Sequence, residues 1–128
     1  MKYLLLLSTL ALSLMFSSTS SAEWTSVGST SAGDKYYLDL DRIRKNGGYV
    51  YVWILGDKLK PGEDGTMSSK VYREIDCKAF REKGLTYIYY KQPMGEGEGD
   101  SNSPSNPEWN YPPPDSMSEF IANEVCAQ

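Results

Sequence analysis

Residues Arg73–Lys78, with the sequence R-E-I-D-C-K, decide how the rest of the chain is arranged. Successive side chains of a strand point to opposite faces, so Val71, Arg73, Ile75 and Cys77 share one face, and Tyr72, Glu74 and Asp76 share the other. This alternation predicts a β-strand over Met67–Cys77 with one buried face. The strand also carries one of the two cysteines of the chain.

Residues 1–22 have the features of a secretory signal peptide. A lysine gives a positive start, Leu4–Phe16 is an apolar segment too short to span a bilayer comfortably, and small residues precede a cleavage site before Glu23. We therefore predict that the mature domain is 23–128 and that it is exported, to the periplasm or the extracellular medium. No cysteine lies near the cleavage site, so the bacterial lipid-attachment signal is missing and we expect no stable membrane anchor.

The two cysteines, Cys77 and Cys126, are predicted to form one structural disulfide. An oxidising compartment favours a disulfide over a free thiol, and the chain has no C-x-x-C pair that would indicate a redox or metal site. The bond would close nearly half of the mature chain into one loop. Loop entropy gives such a bond a stabilising effect of roughly 4 kcal/mol.

Composition excludes several classes of function. The formal net charge is −4, whereas a nucleic-acid-binding protein needs a basic surface. The chain contains no histidine, which removes serine or cysteine catalysis through histidine, the usual zinc sites and histidine-ligated haem. We therefore expect no cofactor and no bound nucleic acid.

Further strands and one helix complete the predicted fold. Strands are predicted at Glu23–Gly28, Lys35–Leu40, Tyr49–Leu55 and Leu85–Tyr90. A single helical turn is predicted within Asp41–Lys45 and a charged turn over Lys78–Gly84. Because the links are short, the strands are expected to pair antiparallel. The fold class is α+β, an antiparallel sheet of about five or six strands with one C-terminal helix packed on it and a single disulfide.

The C-terminal helix begins after Ser116, which forms a capping-box pattern with Glu119. Its apolar face is predicted to contain Met117, Phe120, Ile121 and Val125. Before the helix, Gln92–Pro114 is rich in Gly, Ser, Asn and Pro and is predicted to be an irregular loop, partly mobile near Gly95–Ser105 and pinned by Trp109.

The order of these motifs resembles the bacterial surface-adhesin protein E family. The resemblance rests on an early Trp, on Y-Y-L-D-L-D-R-I-R at Tyr36–Arg44, V-W-I-L at Val52–Leu55, E-I-D-C at Glu74–Cys77, the late Trp109 and a terminal helix ending E-V-C. It covers nearly all of the mature chain. It implies an antiparallel sheet with a C-terminal helix held by one disulfide, and a surface protein that binds host matrix and serum proteins. The chain departs from the family in having no lipid-attachment cysteine and no histidine.

Tyrosines are the most prominent candidate contact residues. The chain has 10 tyrosines, and Tyr49, Tyr51, Tyr87 and Tyr89 fall on neighbouring predicted strands. Such rings either pack across strands or form an exposed aromatic surface for a protein or glycan. The terminal helix can cover only one face of the sheet. The recognition surface is therefore predicted to combine the other face with Gly95–Ser105.

Acidic residues give two weaker hypotheses. Asp39 and Asp41 would share a face of a strand, as the paired carboxylates of a glycosidase do, but solvation or pairing with arginines explains them as well. The acids between Gly95 and Asp100 lack the spacing of a helix-loop-helix calcium site and indicate a solvated loop. We therefore predict no metal site and no enzyme.

The predicted function is that of a non-enzymatic exported binding or envelope protein of the adhesin type, with a host matrix or envelope protein as partner. The alternative is a periplasmic inhibitor or accessory protein of an envelope enzyme. A hydrolase that uses acids alone is a third hypothesis.

Overall fold

The computed structural model describes residues 23–128. The predicted signal peptide lies outside these residues. Across the described range, the structure contains no helix that is long and apolar enough to span a membrane.

Seven strands and one helix make up the described part of the chain. They are β1 (Thr25–Ser29), β2 (Lys35–Leu38), β3 (Arg44–Asn46), β4 (Tyr49–Asp57), β5 (Ser68–Asp76), β6 (Arg81–Tyr90), β7 (Gly99–Asn102) and α1 (Met117–Cys126). Two short 3-10 turns lie at Leu40–Arg42 and Pro93–Gly95. Every strand pair is antiparallel, in the order β1-β2-β4-β5-β6-β7, with β3 beside the first part of β4. The predicted α+β class is confirmed.

Strand β4 lies at the centre because its residues are apolar on one face and aromatic on the other. Val50, Val52 and Ile54 are buried in the core together with the buried residues of α1. We call this side of the sheet the covered face. Tyr49 and the alternate residues along β4 point to the opposite side, which we call the open face. In β5, Ile75 lies opposite Val50 and therefore belongs to the covered face.

Helix α1 packs on the covered face through Ile121, Ala122 and Val125, which are buried. The predicted cap is confirmed, since Ser116 Oγ accepts a hydrogen bond from the Glu119 backbone N–H at 3.1 Å.

The prediction of the apolar face of α1 is wrong for one residue. Phe120 is 46% exposed. At 100° per residue, its side chain points nearly away from the centre of the buried stripe that Ile121, Ala122 and Val125 define.

The disulfide between Cys77 and Cys126 joins the end of β5 to the last residue of α1, with Cα atoms 5.7 Å apart. The predicted bond is therefore confirmed. It fixes the helix at the same end of the sheet at which Ile75 enters the core.

Two predicted boundaries are wrong because backbone pairing overrides local composition. Gly95–Ser105 is not irregular throughout: its first residue ends a 3-10 turn, and β7 follows and pairs with the end of β6. Lys78–Gly84 is a turn only in its first part, because β6 begins at Arg81, where the chain pairs with Asp76. The strand β3 was not predicted at all. Each of these segments is polar and is ordered by backbone pairing with a longer neighbouring strand.

The two edges of the sheet differ from its centre. The edge strand β1 carries an irregularity in its pairing between Ser26 and Gly28. The other edge, β7, has the sequence G-D-S-N, and all four residues are exposed.

Candidate functional site

The register of the sheet separates the four candidate tyrosines into two pairs. Tyr49 and Tyr51 lie on the open face. Tyr87 lies opposite Val71, which in turn lies opposite Ile54, so Tyr87 is on the side of the sheet that bears the helix. Tyr89, two residues on, shares that side and is 44% exposed. The structure therefore brings the first pair together and places the second pair elsewhere.

Trp109 closes one end of the open face. Its indole stacks on the Tyr49 ring with centroids 5.9 Å apart, and the Arg81 guanidinium and the Lys83 ammonium lie 4.3 and 4.2 Å from its centroid. Cation–π contacts of this kind stabilise by about 0.5–2 kcal/mol each. The backbone of the next residue, Asn110, pairs with Glu82 at the edge of β6. Trp109 therefore pins its segment to the sheet, which confirms that prediction.

A ladder of rings continues from Tyr49 along the open face. The Tyr72 ring stacks on Trp53 at 4.9 Å and lies 6.1 Å from the Tyr51 ring, and Arg44 lies over Tyr51 at 5.5 Å. Each of these rings is half-buried, so each packs and still presents an edge to solvent. Sequence reasoning missed Tyr72 and Trp53, although the alternation of β4 already places Trp53 on the same face as Tyr51.

Ion pairs neutralise the acids at this end of the open face. The Tyr51 hydroxyl donates to Glu74 Oε1 at 3.0 Å, and Lys83 Nζ lies 3.6 Å from Glu74 Oε2. Asp76 Oδ2 accepts from Arg81 Nε at 3.0 Å. Burial, and then the hydrogen bond to Glu74, raise the pKa of the Tyr51 hydroxyl, so it remains a protonated donor. The arrangement offers rings and paired charges to a partner.

The turn at Pro93–Gly95 covers the opposite end of the open face. The Met94 N–H donates to Asp57 Oδ1 at 2.8 Å, and the Gly95 N–H donates to Ser68 Oγ at 2.8 Å. A Cβ on Gly95 would lie 2.6 Å from Lys70 Cε, and the φ of Gly95 is +66°, so a side chain at this position would be strained and would displace the lysine stem. Leu55 is consequently buried although it points to the open face.

Between Trp109 and this turn, the open face contains a cleft of about 250 Å³. Its lining residues are Trp24, Asp39, Arg42, Trp53, Lys70, Ile88 and Tyr90. They come from β4, β5 and β6, from the chain before β1, and from the segment after β2 that contains Asp39 and the 3-10 turn. Of this set, sequence reasoning had considered Asp39 as a site residue, and then only as one of a pair.

The structure separates the acidic residues that the sequence suggested as catalytic or calcium-binding groups. Asp39 is buried beside the cleft, whereas Asp41 is exposed on the 3-10 turn after β2, so the two carboxylates do not face one pocket. Glu96, Glu98 and Asp100 are all exposed. Within residues 23–128 there is no group of three or more acidic, cysteine or histidine side chains placed to hold a metal ion.

Comparison with known proteins gives a family and a fold. The family model described as surface-adhesin protein E matches residues 24–127. Protein E of Haemophilus influenzae, in crystal form II, is similar with 17% sequence identity and a TM-score of 0.59 over 72% of this chain and 80% of that chain. Its selenomethionine form gives 17% identity and a TM-score of 0.58 over 72% and 78% of the two chains. No curated protein sequence matches the chain. At this identity the structural likeness supports the fold alone.

Proposed function

Because the chain belongs to the surface-adhesin protein E family, we propose that it is a non-enzymatic exported protein that binds a protein partner through the open face of its sheet. The observation that carries the proposal is the family match, which spans residues 24–127. Membership of an adhesin family favours this function over the inhibitor or accessory role that the sequence left open.

The contact surface that we propose is the end of the open face that contains Tyr49, Tyr51, Tyr72, Trp53 and Trp109. Tyrosine, tryptophan and arginine are the residue types that dominate protein interfaces, because rigid rings bury much area at a low cost in conformational entropy. The half-buried state of these rings supports the choice, since the monomer already holds them in place. Arg44 and Arg81 lie against the same rings and add donors for a partner.

Export remains part of the proposal. The N-terminal features of residues 1–22 support removal of a leader, and the disulfide between Cys77 and Cys126 is consistent with an oxidising compartment. N-terminal sequencing of the protein recovered outside the cytoplasm should read Glu23-Trp24. An intact Met1 on protein in the membrane fraction would contradict cleavage.

The binding proposal can be tested with two matched tyrosine pairs. We expect Tyr49→Ser/Tyr51→Ser to lose capture on surfaces coated with extracellular-matrix extract or serum protein, and Tyr87→Ser/Tyr89→Ser to keep it. Loss of one central aromatic contact costs about 2 kcal/mol or more, so affinity should fall at least about thirtyfold.

Circular dichroism and a thermal melt confirm that each variant is folded. The proposal is wrong if the folded Tyr49/Tyr51 variant binds like the unaltered protein, or if the Tyr87/Tyr89 variant is the one that fails. Absence of capture by the unaltered protein on both coatings would also contradict it.

A further inference from the structure

The cleft on the open face contains a buried carboxylate, and one of its two oxygens accepts no hydrogen bond. Asp39 is 1% exposed, and its Oδ1 has no hydrogen-bond partner in the structure. Its Oδ2 lies 3.5 Å from Arg42 Nε, but the Arg42 side chain is 57% exposed. A buried carboxylate oxygen without a donor is unfavourable. A ligand that brings a hydroxyl or N–H group to Asp39 would therefore be stabilised there.

The same cleft contains a cation without an anionic partner. Lys70 Nζ lies 5.0 Å from the Tyr90 ring centroid and 5.8 Å from that of Trp24. Within residues 23–128, Lys70 takes part in none of the salt bridges. Its stem lies against Gly95 and is held by the turn described above. These contacts restrict the lysine side chain before any ligand arrives, which lowers the entropic cost of binding an anion.

The walls and the size of the cleft limit what can enter. Trp24, Trp53 and Tyr90 present rings, and ring faces are electronegative and attract the C–H groups of a saturated ring. The volume of about 250 Å³ is below the range of about 300–1,000 Å³ that is usual for drug-sized ligands. The cleft therefore has room for one ring-sized group.

Charge selects among the groups of that size. Two cations, Lys70 and Arg42, line the cleft against one carboxylate, so an amine is repelled and an anion is attracted. An aromatic acid without hydroxyl groups would leave Asp39 without a donor. A sugar acid satisfies every feature, because it has a saturated ring, hydroxyl donors and a carboxylate.

We propose that this cleft binds a single acidic sugar residue, a hexuronic or sialic acid, with the sugar carboxylate on Lys70 and a sugar hydroxyl donating to Asp39. The site lies between Trp109 and the turn at Pro93–Gly95, away from the rings assigned above to a protein partner, apart from Trp53, which borders both. Glycan binding at the cleft and protein binding at the Tyr49 end can therefore succeed or fail separately.

The three tryptophans make the test specific, since Trp24 and Trp53 line the cleft and Trp109 does not. Sodium glucuronate and N-acetylneuraminic acid should be titrated into the isotopically labelled mature protein while the indole N–H signals are followed by NMR. We expect saturable shifts of the Trp24 and Trp53 signals and no shift of Trp109. Glucose should bind at least about tenfold more weakly because it lacks the charge.

Lys70→Met should raise the Kd for glucuronate at least about tenfold. Lys60→Met, at an exposed position on the loop between β4 and β5, is the matched control and should leave the Kd unchanged. If Lys70→Met alters the native spectrum, Arg42→Gln at the exposed rim replaces it and should also raise the Kd.

Three results would overturn the proposal. They are the absence of a saturable shift with both sugar acids, an unchanged Kd in the folded Lys70 or Arg42 variant, and binding of benzoate as tight as that of glucuronate. The last result would show that the cleft selects carboxylates without using Asp39.

Discussion

Removing the disulfide should strongly destabilise the domain while leaving every strand intact. In the double variant Cys77→Ala/Cys126→Ala, the unfolded chain regains the freedom of a loop that spans 49 positions. The loop-entropy relation then gives a loss of about 14 cal/mol/K, or about 4 kcal/mol at 25 °C. For a domain of this size, that loss lowers the melting temperature by roughly 15–30 °C.

The native state should change little in this variant. Ile121, Ala122 and Val125 remain buried against the covered face and hold α1 without the covalent bond. Urea denaturation followed by tryptophan fluorescence measures the loss, and the m-value should rise because the unfolded ensemble is less compact. Lys78→Ala, at an exposed neighbouring position, is the control and should stay within about 0.5 kcal/mol.

Two results would refute this reasoning. A loss below about 1 kcal/mol would show that loop entropy is not how the bond acts. Fast hydrogen exchange confined to the amides of α1, with the sheet still protected, would show that the bond holds the helix in the native state instead of restricting the unfolded chain.

Three further predictions concern the cap, a turn and the core. Ser116→Ala removes the acceptor for the Glu119 N–H and should cost about 1 kcal/mol in urea denaturation. The hydrogen bond from the Ala79 N–H lowers the pKa of the Asp76 carboxyl below its ordinary value, so the stability that this group contributes is complete above the unfolded-state pKa and is lost as the pH falls through the lower folded-state pKa. Asp76→Asn should therefore flatten the acid side of the stability–pH curve. Ile121→Ala should cost about 2–5 kcal/mol, because it opens a cavity under α1.

Each of these has a control at an exposed position. Glu124→Ala, exposed on α1, should change stability by no more than about 0.5 kcal/mol, against the larger losses at Ser116 and Ile121. Glu63→Gln, exposed on the loop between β4 and β5, should leave the acid side of the curve unchanged. An Asp76→Asn variant with the unaltered pH dependence would contradict the sign derived above.

Much of the fold could be predicted because the central elements have local sequence patterns that are typical of their structure. The alternation in β4 and β5, the Ser116 cap and the cysteine pair each act over a few residues or through a single bond. The strands β3 and β7 carry no such signal. They are short and polar, and their backbone groups are paired only because β4 and β6 offer free edges.

The cleft could not be predicted because it depends on register. Asp39, Trp53 and Lys70 come from consecutive parts of the sheet, and a shift of one residue in any pairing would send one of them to the covered face. The pairing of β5 with β6 also contains a bulge next to Tyr72, and no local sequence pattern predicts it. Alternation assigns residues to two faces, but it does not say which residues of different strands become neighbours.

The edges of the sheet have a consequence for the behaviour of the protein at high concentration. A sheet with a long, flat, apolar edge strand invites a strand of another molecule to pair with it, which is a route to aggregation. Here β1 is distorted at Gly28, and β7 is four residues long, fully exposed and carries Asp100. The strands at both ends of the sheet thus offer little edge for a second molecule to extend, so self-association through β1 and β7 is disfavoured when the protein is concentrated.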